Sequence, residues 1–184
     1  VGGAGMRRLA LRLRGKGFAV GGAGRAVDQG RTAPKFEFLR QQGVALFAQD
    51  GSGVRSKDQI IVASAAVEET VPDIARANAL GAPRLSRAML LAELFNAAEA
   101  PIGVAGTSGK STTTGMIAWI LSASGVDPTV MNGAVMKNFA GPQSEFASAL
   151  VGAGGAFVSE LDESDGSIAL FRPKIAVLNN ISLD

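Results

Sequence analysis

Seven consecutive residues carry the strongest chemical signal in this chain: Gly106, Thr107, Ser108, Gly109, Lys110, Ser111 and Thr112. Glycines let backbone N–H groups turn toward an anion, a lysine adds a mobile cation, and a neighbouring hydroxyl suits a hard divalent ion. Such a set cradles nucleotide phosphates, with Lys110 reaching the β- and γ-phosphates of ATP and Ser111 ligating Mg2+. The general pattern G-x-x-x-x-G-K-[ST] asks for a glycine at position 104, where this chain has Val104. The plainer alternative is a glycine-rich strand-to-helix turn with an exposed lysine.

A second group follows the apolar run Phe157-Val158: Glu160, then Asp162, Glu163 and Asp165. An acid at the C-terminal end of a hydrophobic strand lies where α/β sheets place ligands. There Glu160 would hold Mg2+, directly or through water. Asp162, Glu163 and Asp165 either share that task or form a solvated acidic loop. The chain has no His and no Cys. Any general base or metal ligand in it is therefore carboxylate, Lys, hydroxyl or backbone. Disulfides and thiolate metal sites are excluded, which fits a reducing cytoplasm.

These groups need a strand before the glycine turn and a helix after it. The apolar run Pro101-Ile102-Gly103-Val104-Ala105 supplies the strand, and residues 112–124 have helical character. Further strands are predicted at residues 129–131, 156–159 and 175–178, with a turn at the glycine cluster 152–155. Upstream, residues 6–14, 34–42, 71–80 and 87–98 read as helices and residues 18–20, 44–47 and 60–63 as strands, by apolar spacing and by Pro and Gly at element ends. Alternating elements of this kind imply an α/β fold with mostly parallel sheets covered by helices. The break comes at Ala100-Pro101, where the phosphate-loop unit opens, giving two domains, residues 1–99 and 100–184. Residues 1–5 before the first helix resemble the glycine turn of a Rossmann unit, although no acid follows the next strand until Asp28. A tight structural turn serves equally well there. Asn132, Gly133, Asn138, Asn179 and Asn180 lie just beyond strands, where turn formation is the default role.

The length, 184 residues, accommodates one large or two small domains. Charge is uneven: the part up to Glu99 carries a net +5 and the remainder −3. The basic charges are scattered, without interleaved aromatics, so a small anionic ligand or a solvated surface fits better than nucleic acid. No apolar run approaches the ~20 residues of a membrane span. Both ends look cut, the first at a strand's turn and the last directly after a strand.

Taken in order, these blocks resemble the Mur ligase family. Residues 106–112 look like its phosphate loop, which departs from the general pattern at the leading glycine, and residues 160–167 and 179–184 look like its next two blocks. Gly2, Gly3, Ala4, Gly5 and Met6, with residues 64–67 and 85–94, are similar to the branch that joins L-alanine to UDP-N-acetylmuramate. The resemblance implies a Rossmann-like UDP-sugar domain followed by the start of a P-loop-type ATPase domain. It implies an ATP- and Mg2+-using cytoplasmic ligase of peptidoglycan precursor synthesis, working through an acyl phosphate.

Carried over residue by residue, Lys110 would stabilise the transferring phosphoryl group, and Ser111 and Glu160 would hold Mg2+. Residues 106–112 would wrap the phosphates. Gly3, Ala4, Gly5, Met6 and Ser64 would contact the UDP part, and Asn138 and Asn180 would face the shared cleft. The chain departs from the branch at Ser108, where the branch usually has His, and at Gly24, where the branch usually has an acid. Those departures leave open the related ligase that reattaches recycled murein peptides, and a non-catalytic nucleotide-binding module on the same fold. The family continues past Asp184 with a His, the adenine pocket and a C-terminal domain for the amino acid. The chain is thus expected to be the front of a longer ligase, inactive in ligation by itself.

Overall fold

Short strands and helices alternate through the chain in the computed structural model, which describes residues 4–24, 33–64, 67–141, 147–162 and 166–182. The expectations placed on Gly3, Asp28, Ala65, Ala66, Glu163, Asp165 and Asp184 fall outside those residues. Two compact units divide the chain, Val1–Leu90 and Leu91–Asp184.

The first unit runs α1 (Ala4–Gly15), β1 (Gly21–Ala23), α2 (Ala33–Gln41), β2 (Ala45–Phe47), β3 (Ile61–Ala63), α3 (Pro72–Leu80) and β4 (Arg84–Ser86), and enters α4 (Arg87–Asn96). Its pairings are parallel: Gly21 opposite Ala45 in β1–β2, and Ile61 opposite Arg84 in β3–β4. Ala10, Phe36, Leu39 and Val44 form one core cluster, with Val20 and Leu46 packed on it. A second cluster joins Val54, Ala77 and Ala82. Helices α1, α2 and α3 end alike. At the end of α1, the Gly17 N–H returns to the Arg14 carbonyl and the Phe18 N–H to the Leu13 carbonyl, at 2.9 and 3.0 Å. This paired back-bonding satisfies carbonyls the helix leaves open.

That cap corrects one expectation. Residues 18–20 are not the strand: Phe18 is spent on closing α1, its ring is 56 % exposed, and the ladder begins at Gly21. The sequence Gly-Gly-Ala has poor strand propensity, and pairing with β2 overrides it. The strand β4 was not legible either, because Arg84-Leu85-Ser86 offers a single large apolar residue. An exposed network ties it down, in which Arg84 donates to both oxygens of Glu69 at 2.9 and 2.7 Å and Asn78 donates to Glu69 at 3.1 Å. The Arg84 hydrogen bond, then that of Asn78, holds the Glu69 carboxyl below its ordinary range.

The second unit contains a five-stranded sheet built from β5 (Ala100–Ala105), β6 (Thr129–Met131), β7 (Ala149–Leu150), β8 (Ala156–Glu160) and β9 (Ile175–Leu178). Their order is β7-β6-β8-β5-β9, with β7 antiparallel and the other pairings parallel. The helix α5 (Lys110–Ala123) follows β5, and short 3-10 turns lie at Lys137–Phe139 and Ser167–Leu170. Ile102, Ala118, Val130, Met136 and Val158 form the core between α5 and the sheet. Elsewhere in this unit, Phe95 meets Phe157 and Phe171 edge-to-face, with centroids 5.6 and 5.4 Å apart. Strand β5 has a parallel neighbour on each side and is buried over Pro101 to Val104, which fixes where the following loop emerges.

Candidate nucleotide site

The loop leaves β5 at its C-terminal end, next to the ends of β8 and β9. Gly106 and Gly109 have φ of +135° and +81°, a region costly for any residue with a Cβ. Gly109 is the N-cap of α5 and offers no side-chain cap, and the first turn holds no acid. The first intrahelical bond here is Thr113 N–H to the Gly109 carbonyl at 3.0 Å. Lys110, Ser111 and Thr112 therefore present first-turn N–H groups at the positive end of the helix dipole. Thr107, Ser108, Gly109, Lys110, Ser111 and Thr112 line a cavity of about 260 Å3. That volume is smaller than the ~300–1,000 Å3 of a pocket enclosing a whole drug-sized ligand. It suits a phosphate chain.

Three of the residues expected to do chemistry converge. The Ser111 hydroxyl donates to Glu160 Oε2 at 2.7 Å, and the Lys110 ammonium donates to the Gly106 carbonyl at 2.6 Å. Glu160 ends β8 directly opposite Val104 of β5. A Cβ on residue 133 would occupy the space of the Glu160 carboxylate, so the glycine there admits the acid. Hydroxyl and carboxylate oxygens together are a hard donor set, and a phosphate-bound Mg2+ takes only one or two protein oxygens. The pair fits that ion.

Asparagines at strand ends hold this arrangement, a role that sequence reading did not assign. Asn132, 2 % exposed at the end of β6, donates to the Ser111 carbonyl at 3.0 Å. Asn180, just past β9, accepts from the Ser108 N–H at 3.0 Å and donates to the Ser108 carbonyl and hydroxyl, both at 3.1 Å. Asn179 accepts from the Thr113 hydroxyl at 3.1 Å. The legible signal was an asparagine directly after an apolar strand, but the partners are 21 residues away for Asn132, 66 for Asn179 and 72 for Asn180.

The remaining candidates make none of the contacts just described. Asn138 is exposed in the 3-10 turn, beside Phe139, whose ring meets Trp119 at 5.7 Å. Asp162 is exposed after β8. In the first unit, Ala4, Gly5 and Met6 open α1, which has no acid in its first turn. The guanidinium of Arg87 packs over Gly5, where a Cβ would come within 2.9 Å of it. Ser64 follows β3 at its C-terminal end and is half-buried.

A mostly parallel sheet in which the interior strand β5 feeds a glycine loop and a helix without a side-chain cap, with an acid on the neighbouring strand, is the arrangement of a P-loop-type α/β protein. Comparison with known proteins narrows the class. The profile of the "Mur ligase family, catalytic domain" matches residues 1–99, and that of the "Mur ligase middle domain" matches residues 104–184. The chain belongs to the Mur ligase family. It is 41 % identical over 184 residues to the UDP-N-acetylmuramate–L-alanine ligase of Synechococcus sp. (strain JA-2-3B'a(2-13)), covering 100 % of this chain and 36 % of the relative. To the enzyme of that name from Acidithiobacillus ferrooxidans (strain ATCC 53993 / BNL-5-31) it is 37 % identical, covering 100 % and 37 %. It thus spans about a third of the length of the curated relatives it matches.

Among solved structures, UDP-N-acetylmuramate-alanine ligase from Thermotoga maritima matches with a TM-score of 0.80 at 28 % identity, over 100 % of this chain and 40 % of that one. The UDP-N-acetylmuramate:L-alanyl-gamma-D-glutamyl-meso-diaminopimelate ligase from Neisseria meningitides matches with 0.79 at 27 %, over 100 % and 59 %.

Proposed function

We propose that this chain supplies the UDP-sugar-binding part, residues 1–99, and the front of the ATP-binding part, residues 100–184, of a ligase that joins L-alanine to UDP-N-acetylmuramate. The carrying observation is the Ser111–Glu160 pair at 2.7 Å beside the open N-terminus of α5. The relatives' names supply the substrates. ATP is the phosphoryl donor, and Mg2+ held by Ser111 and Glu160 would supply charge neutralisation at its terminal phosphates.

The sugar carboxylate attacks the γ-phosphorus, ADP leaves, and the amine of the amino acid then displaces phosphate from the acyl phosphate. Catalysis of this kind is largely positioning and charge neutralisation. Residues 106–112 wrap the phosphates. Lys110, which donates to the Gly106 carbonyl here, would stabilise the transferring phosphoryl group, and Ser111 and Glu160 would hold Mg2+. Gly3, Ala4, Gly5, Met6 and Ser64 contact the UDP part, and Asn138 faces the substrate cleft. Among the described residues no helix is long and apolar enough to cross a membrane. The cytoplasmic placement we assign rests on the family resemblance.

A second reading is favoured by Ser108 and by the equal structural likeness to the Neisseria ligase. In it the incoming group is the peptide L-alanyl-γ-D-glutamyl-meso-diaminopimelate. ADP release is measured in the protein carrying these residues, with UDP-N-acetylmuramate and either L-alanine or that peptide. Dependence on the UDP-sugar and L-alanine is expected. Dependence on the peptide instead selects the second reading, and release without the UDP-sugar rules out both.

A further inference from the structure

We propose that Asn180, assisted by Asn179, is a positioning residue that acts through the phosphate loop and does not itself touch the nucleotide; the statement rests on the nucleotide-site reading above. Ser108 forms the crown of a loop with a positive-φ glycine on each side of it, at 106 and 109. Fixing each such residue costs backbone entropy, so something outside the loop must hold it. The last backbone bond between β5 and β9 runs from the Asn179 N–H to the Ala105 carbonyl at 3.0 Å. Beyond it the Asn180 side chain takes over.

The Asn180 amide presents a carbonyl oxygen to the Ser108 N–H, and its NH2 to the Ser108 carbonyl and hydroxyl. A primary amide is a peptide group in miniature, so this pairing extends the β5–β9 ladder past the point where the backbones diverge. Asn179 adds a bond to the same carbonyl at 3.3 Å, and the Ser182 N–H donates to the Thr107 hydroxyl at 3.2 Å. Both hydrogen-bonding groups of the Asn180 amide are thus committed to Ser108. Held in this way, the loop presents the N-terminal turn of α5 to an anion in a geometry set before the ligand arrives.

The test is hydrogen exchange of residues 106–110 in the nucleotide-free chain, paired with Mg·ATP affinity by calorimetry, for the wild type, Asn180→Ala and Ser108→Ala. Asn180→Ala loses all three Asn180 bonds and is expected to speed exchange about 10-fold and weaken Mg·ATP about 10-fold. Ser108→Ala loses only the hydroxyl contact and keeps both backbone contacts with Asn180, so its exchange is expected to change less than about 3-fold. Weaker binding with unchanged exchange in the nucleotide-free state would mean direct contact with the nucleotide and would overturn the proposal, as would no change in either. If Asn180→Ala does not fold, Thr107→Val removes the Ser182 contact of the same clamp, and unchanged exchange in it overturns the proposal. Faster exchange in a chain whose wild type does not bind Mg·ATP upholds the clamp and counts against the nucleotide reading instead.

Discussion

Ser111 and Glu160 stand 49 residues apart in sequence, yet the hydroxyl of one donates to the carboxylate of the other at 2.7 Å. The contact joins the first turn of α5 to the end of β8, and Gly133 makes the space in which it forms. Three predictions about activity follow from its surroundings, and two about stability from elsewhere.

Lys110→Ala removes the one cation in the loop. We expect a loss of about 2–4 kcal/mol of transition-state stabilisation, or roughly 30- to 1,000-fold in kcat, by the scale of losing one preorganised donor. Rapid-quench measurement of ADP formation at saturating Mg·ATP reads this directly. A kcat within about 3-fold of wild type would remove Lys110 from the phosphoryl-transfer step.

Glu160→Gln keeps the shape of the side chain and its bond to Ser111 but discards the charge. The Mg2+ concentration for half-maximal activity is expected to rise about 10-fold or more, since Mg2+ favours carboxylate over amide oxygen. Titrating Mg2+ at fixed ATP checks it. An unchanged midpoint places the ion elsewhere.

Gly133→Ala puts a methyl group where the Glu160 carboxylate lies. The obstacle is the far end of a flexible side chain, so the fold should survive while Glu160 is pushed from Ser111. The expected signature is a melting temperature within about 3 °C of wild type together with a Mg2+ requirement shifted like that of Glu160→Gln. A wild-type Mg2+ profile would show that the pair tolerates displacement.

Thr114 is wholly buried in α5, and its hydroxyl has no hydrogen-bond partner among the described residues. Thr114→Val exchanges that oxygen for a methyl group of similar size. Relieving a buried unsatisfied hydroxyl should stabilise by about 1 kcal/mol. Denaturant midpoints compared at equal m-value test this, and a destabilised variant would mean that the hydroxyl is satisfied.

The Glu69 carboxyl is held below its ordinary range, chiefly by the Arg84 hydrogen bond. A depressed carboxyl adds stability above its unfolded-state pKa and loses it as pH falls through the folded one. The first unit is therefore expected to weaken on acidification below about pH 4, and Glu69→Gln should flatten that limb. Both groups are solvent-exposed, so the effect is small and salt-sensitive. Urea midpoints from pH 3 to 6 at low salt resolve it.

Much of this was legible in the chain itself. The β5–loop–α5 unit was readable because its apolar run, glycines and Lys-Ser pair are contiguous, and Glu160 because it closes a buried strand. The relatives' names agree with the family the blocks pointed to. The loop's support was not legible. Asn132, Asn179 and Asn180 look like ordinary turn residues until the sheet order brings β6 and β9 to the same end. The strand expected at residues 18–20 failed for a related reason, since Gly21 and Gly22 are recruited by β2 against their own preference.

The Ser108–Asn180 contact also bears on the order in which the second unit is built. Its two residues are separated by 72 positions, with α5, β6 and β8 between them. Closing so long a loop is entropically unfavourable until intervening contacts offset it. The seven-residue motif is synthesised early, but its cradle geometry becomes available only once β9 has docked. Competence to hold phosphate is then a late event in folding, and a refolding chain should recover its sheet signal before it recovers ligand binding.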